Sequence, residues 1–111
     1  MSSDLPIKSW TGVKRRSLSA TELVASLARL EGWKLGGDGD SVAIEKTFRF
    51  NNYFETIAFV NAVAMVAHRL DHHPDLRVHY NRCAVRLNTH DVGGISATDF
   101  DCAAHIDALL A

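Results

Sequence analysis

Apolar positions along this chain change period several times, and each change marks an element. Leu23, Leu27 and Leu30 recur at helical spacing. Ser19 is placed to cap that helix, and Glu22, three residues on, completes a capping box. Leu18 and Leu23 flank the cap as a hydrophobic staple, and Gly32 is the expected stop. Period two takes over next. Trp33–Leu35 leads into the turn cluster Gly36-Gly37-Asp38-Gly39-Asp40, and Val42, Ile44, Phe48 and Phe50 then alternate with Ala43, Glu45, Thr47 and Arg49. Lys46 interrupts the apolar face of this hairpin and predicts a position near a sheet edge.

The longest helix is expected from about Tyr53 to Leu70 or Asp71, capped by Asn52 with Glu55 in its first turn and ending before Pro74. Its apolar residues occupy two sides. Phe54, Ile57, Ala58 and Met65 form one, and Phe59, Val63, Val66 and Leu70 the other. A helix apolar on two sides packs on two surfaces: one is the sheet, and the other is open to a second subunit. Two short strands follow, with Leu76, Val78 and Tyr80 inward in one, and Cys83, Val85 and Leu87 in the other. Asn81-Arg82 is the expected turn between them. Gly93-Gly94 breaks the chain, and a last helix starts at Ser96 with Asp99 at its third position and Ile95/Phe100 as a second staple. Ala103, Ala104, Ala108 and Leu110 are its expected apolar side. The order α-β-β-α-β-β-α, without βαβ alternation, predicts an α+β fold: an antiparallel four-stranded sheet with helices on one face.

Composition narrows the function. The chain has 111 residues, 47% of them apolar, enough for one core and not for separate cofactor and substrate domains. Residues 1–17 read as a lead-in of unassigned role, and 18–111 as the domain. Twelve basic and thirteen acidic residues leave a net charge of −1, which excludes a strongly basic track for nucleic acid. Two cysteines, Cys83 and Cys102, are too few for a disulfide scaffold and read as free thiols in a reducing compartment. No apolar run reaches membrane-spanning length, and the polar start Met1–Asp4 gives no leader pattern, so a cytoplasmic protein is expected.

Histidine is the unusual component: six residues, four of them within His68–His79. His72-His73-Pro74-Asp75 lies where the long helix should end. Pro74 stiffens that corner, and two imidazoles at a helix terminus can turn toward one cavity. Histidine exchanges protons near neutral pH, so His72 and His73, with His90 after the fourth strand, could supply an acid and a base to one small substrate. His68 and His72 have the i, i+4 spacing of metal ligands, but the glutamate of an H-E-x-x-H motif is missing and no metal is expected. His79 and His105 read as surface residues, and Asp99 as a first-turn carboxylate.

Taken together, His68, His72-His73-Pro74, Tyr80, His90 and Asp99 resemble the signature of the pterin-4a-carbinolamine dehydratases. Leu70-Asp71-His72-His73-Pro74-Asp75, Thr89-His90-Asp91-Val92-Gly93-Gly94 and Gly32-Trp33 resemble the family's flanking text, over about residues 18–111. The resemblance implies the fold already read from periodicity. It implies loss of water from a 4a-hydroxytetrahydropterin to give a quinonoid dihydropterin, the recycling step for the tetrahydrobiopterin cofactor of aromatic amino acid hydroxylases. It assigns catalysis to His72, His73 and His90, places Asp71, Pro74, Thr89, Asp91 and Asp99 at the substrate, and calls for neither metal nor cofactor. It also implies a homodimer or homotetramer whose functional partner is a hydroxylase, with no nucleic acid and no membrane. His68 stands where many members carry glutamate, Leu76 where animal members carry tryptophan, and Val78 where they carry asparagine. These differences bear on the pocket wall and on which pterin side chain is accepted. Three other readings use the same residues: a non-catalytic pterin- or protein-binding module, a component acting on another pterin such as molybdopterin, and a small metal-binding protein built on His68, His72 and His73.

Overall fold

The computed structural model describes residues 16–37 and 42–111. Most of the lead-in, and the tip of the first hairpin turn at 38–41, lie outside them. Contacts of the domain reach back to Arg16. Its guanidinium pairs with Glu22 at 2.7 and 2.5 Å. That pairing, with the Ser19 N–H, holds the Glu22 carboxyl down at about 2.

Helix α1 (Ala20–Leu27) carries the expected Ser19/Glu22 capping box, but ends at Ala28, before Gly32. Strands β1 (Lys34–Gly36) and β2 (Ala43–Arg49) form the first hairpin. Helix α2 (Tyr53–Leu70) is capped by the Asn52 side chain on the Glu55 N–H. Strands β3 (Asp75–Val78) and β4 (Arg82–Leu87) follow, then a 3-10 turn (His90–Val92) and helix α3 (Ala97–Ala108), with Ser96 and Asp99 in a second capping box. The sheet is antiparallel, in the order β1-β2-β4-β3.

One face of the sheet carries the core. Ile44 and Phe48 of β2 stand opposite Leu87 and Cys83 of β4, and all are buried beneath Phe59, Val63 and Leu70 of α2 and Cys102, Ala103 and Ile106 of α3. Phe59 sits between Phe48 and Phe50, with ring centroids 4.7 and 5.1 Å away. The other face carries the alternate residues, and among the described residues no helix covers it.

Four local expectations change. Lys46 is not at an edge: β2 is an inner strand. Its ammonium crosses the core margin to Asp107 Oδ1 and the Glu31 carbonyl, both at 2.9 Å, so its inward position is compensated. The second hairpin turns at Tyr80-Asn81 rather than at Asn81-Arg82, because the His79 N–H already bonds the Arg82 carbonyl. Tyr80 is therefore exposed, stacked on Tyr53 rather than inward. In α3, Ala104, Ala108 and Leu110 face outward, and the buried stripe is Cys102, Ala103 and Ile106. Only one side of α2 is covered. On the other, Phe54 is 82% and Met65 49% exposed.

Asp107 also accepts the indole N–H of buried Trp33 at 3.0 Å. Asp107→Ala therefore strands a buried donor and a half-buried ammonium together, and should lower unfolding free energy by about 2 kcal/mol. Urea titration followed by Trp fluorescence checks this; a loss under about 0.5 kcal/mol, the scale of an ordinary surface substitution, would show that the pair holds nothing in place.

Candidate active site

The site begins at the end of α2. Asp71 takes a left-handed conformation (φ 49°), and the N–H groups of Asp71 and His72 both return to the Ala67 carbonyl. This Schellman-type closure is usually made by glycine, but aspartate tolerates it. The chain leaves the helix so that His72 points inward, 7% exposed, while His73 points out. Pro74, half-buried, starts the extended path into β3.

Inside, His72 Nε2 lies 2.5 Å from Asp99 Oδ1. Asp99 is fully buried, and its other oxygen takes the Thr89 hydroxyl at 2.7 Å and the Ser96 N–H at 2.9 Å. The Thr89 and Ser96 hydroxyls are 2.6 Å apart, and the Thr98 N–H reaches Ser96 Oγ at 3.3 Å. The directions follow from donor counting. A carboxylate only accepts, so Thr89 gives its single proton to Asp99. Ser96 must then donate to Thr89 while it accepts from Thr98. By the same logic His72 carries its proton on Nε2. Its Nδ1 has no hydrogen-bond partner among the described residues.

This network joins three segments. It ties the end of α2, through His72, to the start of α3, through Asp99, and to the strand exit at Thr89. Thr89 is held further by a β-bridge to Gly94. His90, next to Thr89 in the chain, is exposed on the 3-10 turn that closes at Gly93 (φ 63°). Asp75 pairs with Arg86, so the start of β3 and the end of β4 lie side by side. His73 and His90 therefore emerge at the same end of the sheet as the inner His72.

The expected substrate contacts separate into two groups. Asp71 and Asp91 are exposed and Pro74 is half-buried. Asp99 and Thr89, expected to touch substrate, are 0% and 1% exposed with their oxygens committed inward. They stand behind His72, holding it rather than facing the surface. Sequence reasoning missed Ser96 as part of the site. It read as a helix cap only, although its pairing with Asp99 in a capping box was visible.

The remaining candidates lie elsewhere. His68 and His79 are exposed, and His105 bonds the Asp101 carbonyl of its own helix. Among the described residues no group of three or more His, Cys, Asp or Glu side chains is placed to hold a metal, and no helix is long and apolar enough to cross a membrane. Cys83 and Cys102 are both buried. Burial, with Asp99 and Asp101 nearby, pushes the Cys102 thiol up to about 12, so it remains a neutral thiol packed behind the His72 carbonyl.

A relative from Paracidovorax citrulli, assigned as a pterin-4-alpha-carbinolamine dehydratase, is 66% identical over 99% of this chain and 95% of its own length. One from Stenotrophomonas maltophilia (strain K279a), assigned likewise, is 53% identical over 83% of this chain and 78% of its own. The crystal structure of a transcriptional coactivator/pterin dehydratase from Brucella melitensis superposes with a TM-score of 0.80 at 30% identity, covering 86% of this chain and all of that one. A pterin dehydratase-like protein described as a RuBisCO assembly factor in the alpha-carboxysome superposes with a TM-score of 0.60 at 25% identity, over 71% of this chain and 89% of that one. The family model for pterin 4 alpha carbinolamine dehydratase matches residues 16–109, and the chain belongs to that family.

Proposed function

We propose that this protein catalyses dehydration of a 4a-hydroxytetrahydropterin, with His72, His73 and His90 as its working groups. In the reaction the C4a–O bond breaks, the hydroxyl leaves as water after gaining a proton, and loss of the N5 proton forms the C4a–N5 double bond. One acid and one base suffice, and no redox step occurs.

The observation that carries this reading is the His72–Asp99 pair. A buried carboxylate fixes the Nε2–H tautomer and leaves Nδ1 as an open acceptor, the arrangement of an oriented general base. His72 is thus the group that takes the N5 proton, and Asp99 stabilises the imidazolium that forms. His73 and His90, exposed at the same end of the sheet, supply the acid for the departing hydroxyl and the contact that orients the ring. Asp71, Pro74 and Asp91 line the approach. Thr89, Ser96 and Asp99 are positioning residues. The substrate would come from an aromatic amino acid hydroxylase in the same cytoplasmic compartment.

A second reading has its own support. The uncovered side of α2, with Phe54, Ala58 and Met65 exposed, is an apolar surface suited to self-association into a dimer or tetramer, or to another protein. A protein-binding role could rest on that surface without chemistry. One experiment separates the two. The carbinolamine is generated in situ by a hydroxylase, and its dehydration is followed with and without this protein, in the presence of chelator. Acceleration well above the spontaneous rate is expected; none at micromolar protein would leave the binding role.

A further inference from the structure

The open face of the sheet carries charge in an uneven pattern. Strand register places Lys34, Glu45, Arg86 and Asp75 in one row across all four strands, alternating in sign, with Arg86 on Glu45 at 2.6 Å. The middle row holds Thr47, Ala84 and Arg77. At the far end Arg49 stands directly opposite Arg82, and the exposed His79 continues that row across the hairpin. Like charges directly opposed on a sheet face are destabilising. Here they occur in a chain with more acidic than basic residues, so composition does not force them.

Arg49, Arg82 and Arg77 have no ion-pair or hydrogen-bond partner among the described residues, in contrast to Arg86 and Arg16. Directly opposed positions lie about 5 Å apart at Cβ and diagonal ones about 7–8 Å, so three flexible guanidinium groups can converge on one point. The two small residues between the charged rows, Thr47 and Ala84, line a hollow of about 190 Å³ together with Arg77, Arg86, Glu45 and Asp75, and Arg49 and Arg82 stand just beyond it in the next row. Arg82 lies at the start of β4, roughly 25 Å along the strand direction from His90 beyond its end, and Arg77 is four residues, roughly 13 Å, from His73.

We propose that Arg49, Arg82 and Arg77 bind the phosphoryl group of a small phosphorylated ligand, at a site separate from the histidines. Guanidinium groups suit phosphoryl oxygens, each offering paired donors. A long nucleic-acid strand does not fit, because Glu45 and Asp75 close the positive strip after two rows. The chain's own segment 1–15 does not fit either: Lys8, Lys14 and Arg15 outnumber Asp4.

The test uses inorganic pyrophosphate, titrated at constant ionic strength and followed by amide NMR. Saturable shifts at residues 47–49, 77–79 and 82–84 are expected, with affinity at least tenfold weaker in Arg82→Gln. Dehydration activity should not change in that variant, so the result is independent of the proposed reaction. Arg82→Gln should also raise the melting temperature at low salt, since it removes the opposed charge. Linear, unsaturable shifts, shifts centred on His73 and His90, or equal affinity in the variant would overturn the proposal. So would saturation by a polyglutamate peptide and not by pyrophosphate, which would assign the face to an acidic protein. A melting temperature that does not rise would remove its premise of uncompensated charge.

Discussion

Asp99→Asn should fold and yet lose dehydration rate by about 10²-fold or more, the range for disabling a general base. One Asp99 oxygen receives the Ser96 backbone N–H, which cannot turn away, together with the Thr89 hydroxyl. The asparagine amide must therefore keep its oxygen on that side and present its NH₂ to His72. His72 Nε2 then has to accept, and its proton moves to Nδ1, the nitrogen open to substrate. The ring is still held, but in the wrong tautomer to take a proton. The stability cost of this exchange should be about 1–2 kcal/mol, one charge-assisted bond becoming neutral. Asp99→Ala removes the acceptor altogether. It strands the His72, Thr89 and Ser96 donors and one half of the α3 capping box, and should cost about 3–5 kcal/mol. Urea unfolding measures the stabilities, and nitrogen-15 NMR of the imidazoles reads the tautomer directly. An Asp99→Asn protein with wild-type rate and an unchanged His72 tautomer would remove the carboxylate from the mechanism.

The same residue shows what the sequence could and could not disclose. Spacing of three between Ser96 and Asp99 identified the helix start, as it did for Ser19 and Glu22, because a capping box is local. The burial of Asp99 was not visible, since it depends on Thr89, ten residues away, and His72, twenty-seven away. Lys46 was misplaced for a related reason. A polar residue at an inward strand position suggests an edge until its counterion, Asp107, is seen to arrive from the other end of the chain. In α3 the alanines suggested an apolar face by composition, while the bulk that fills the core comes from Cys102 and Ile106. The histidine set itself was legible because two members adjoin and Pro74 fixes the corner. That one points inward and the other outward follows from the left-handed Asp71, a backbone choice the sequence does not advertise.

His73→Ala and His90→Ala should each slow dehydration by about 10²-fold or more, at almost no cost in stability. Both side chains are exposed, and neither has a hydrogen-bond partner among the described residues. Their removal should therefore change unfolding free energy by less than about 0.5 kcal/mol. Any rate loss then reports chemistry rather than damage to the fold, which is not true of His72→Ala. If one histidine protonates the departing hydroxyl and the other holds the ring for that transfer, they act in a single transition state. The double variant should then be little slower than the worse single one, because a misoriented substrate gains little from an intact acid. Stopped-flow absorbance of the hydroxylase-generated carbinolamine, corrected for its spontaneous dehydration, gives all three rates. His105→Ala is the control: it too is an exposed imidazole, but one bonded to its own helix, and it should leave the rate unchanged. Near-wild-type rates in both single variants would confine the chemistry to His72 and leave no group to protonate the leaving hydroxyl. Strictly multiplicative losses would mean instead that His73 and His90 serve separate steps, with N5 deprotonation and hydroxyl departure uncoupled.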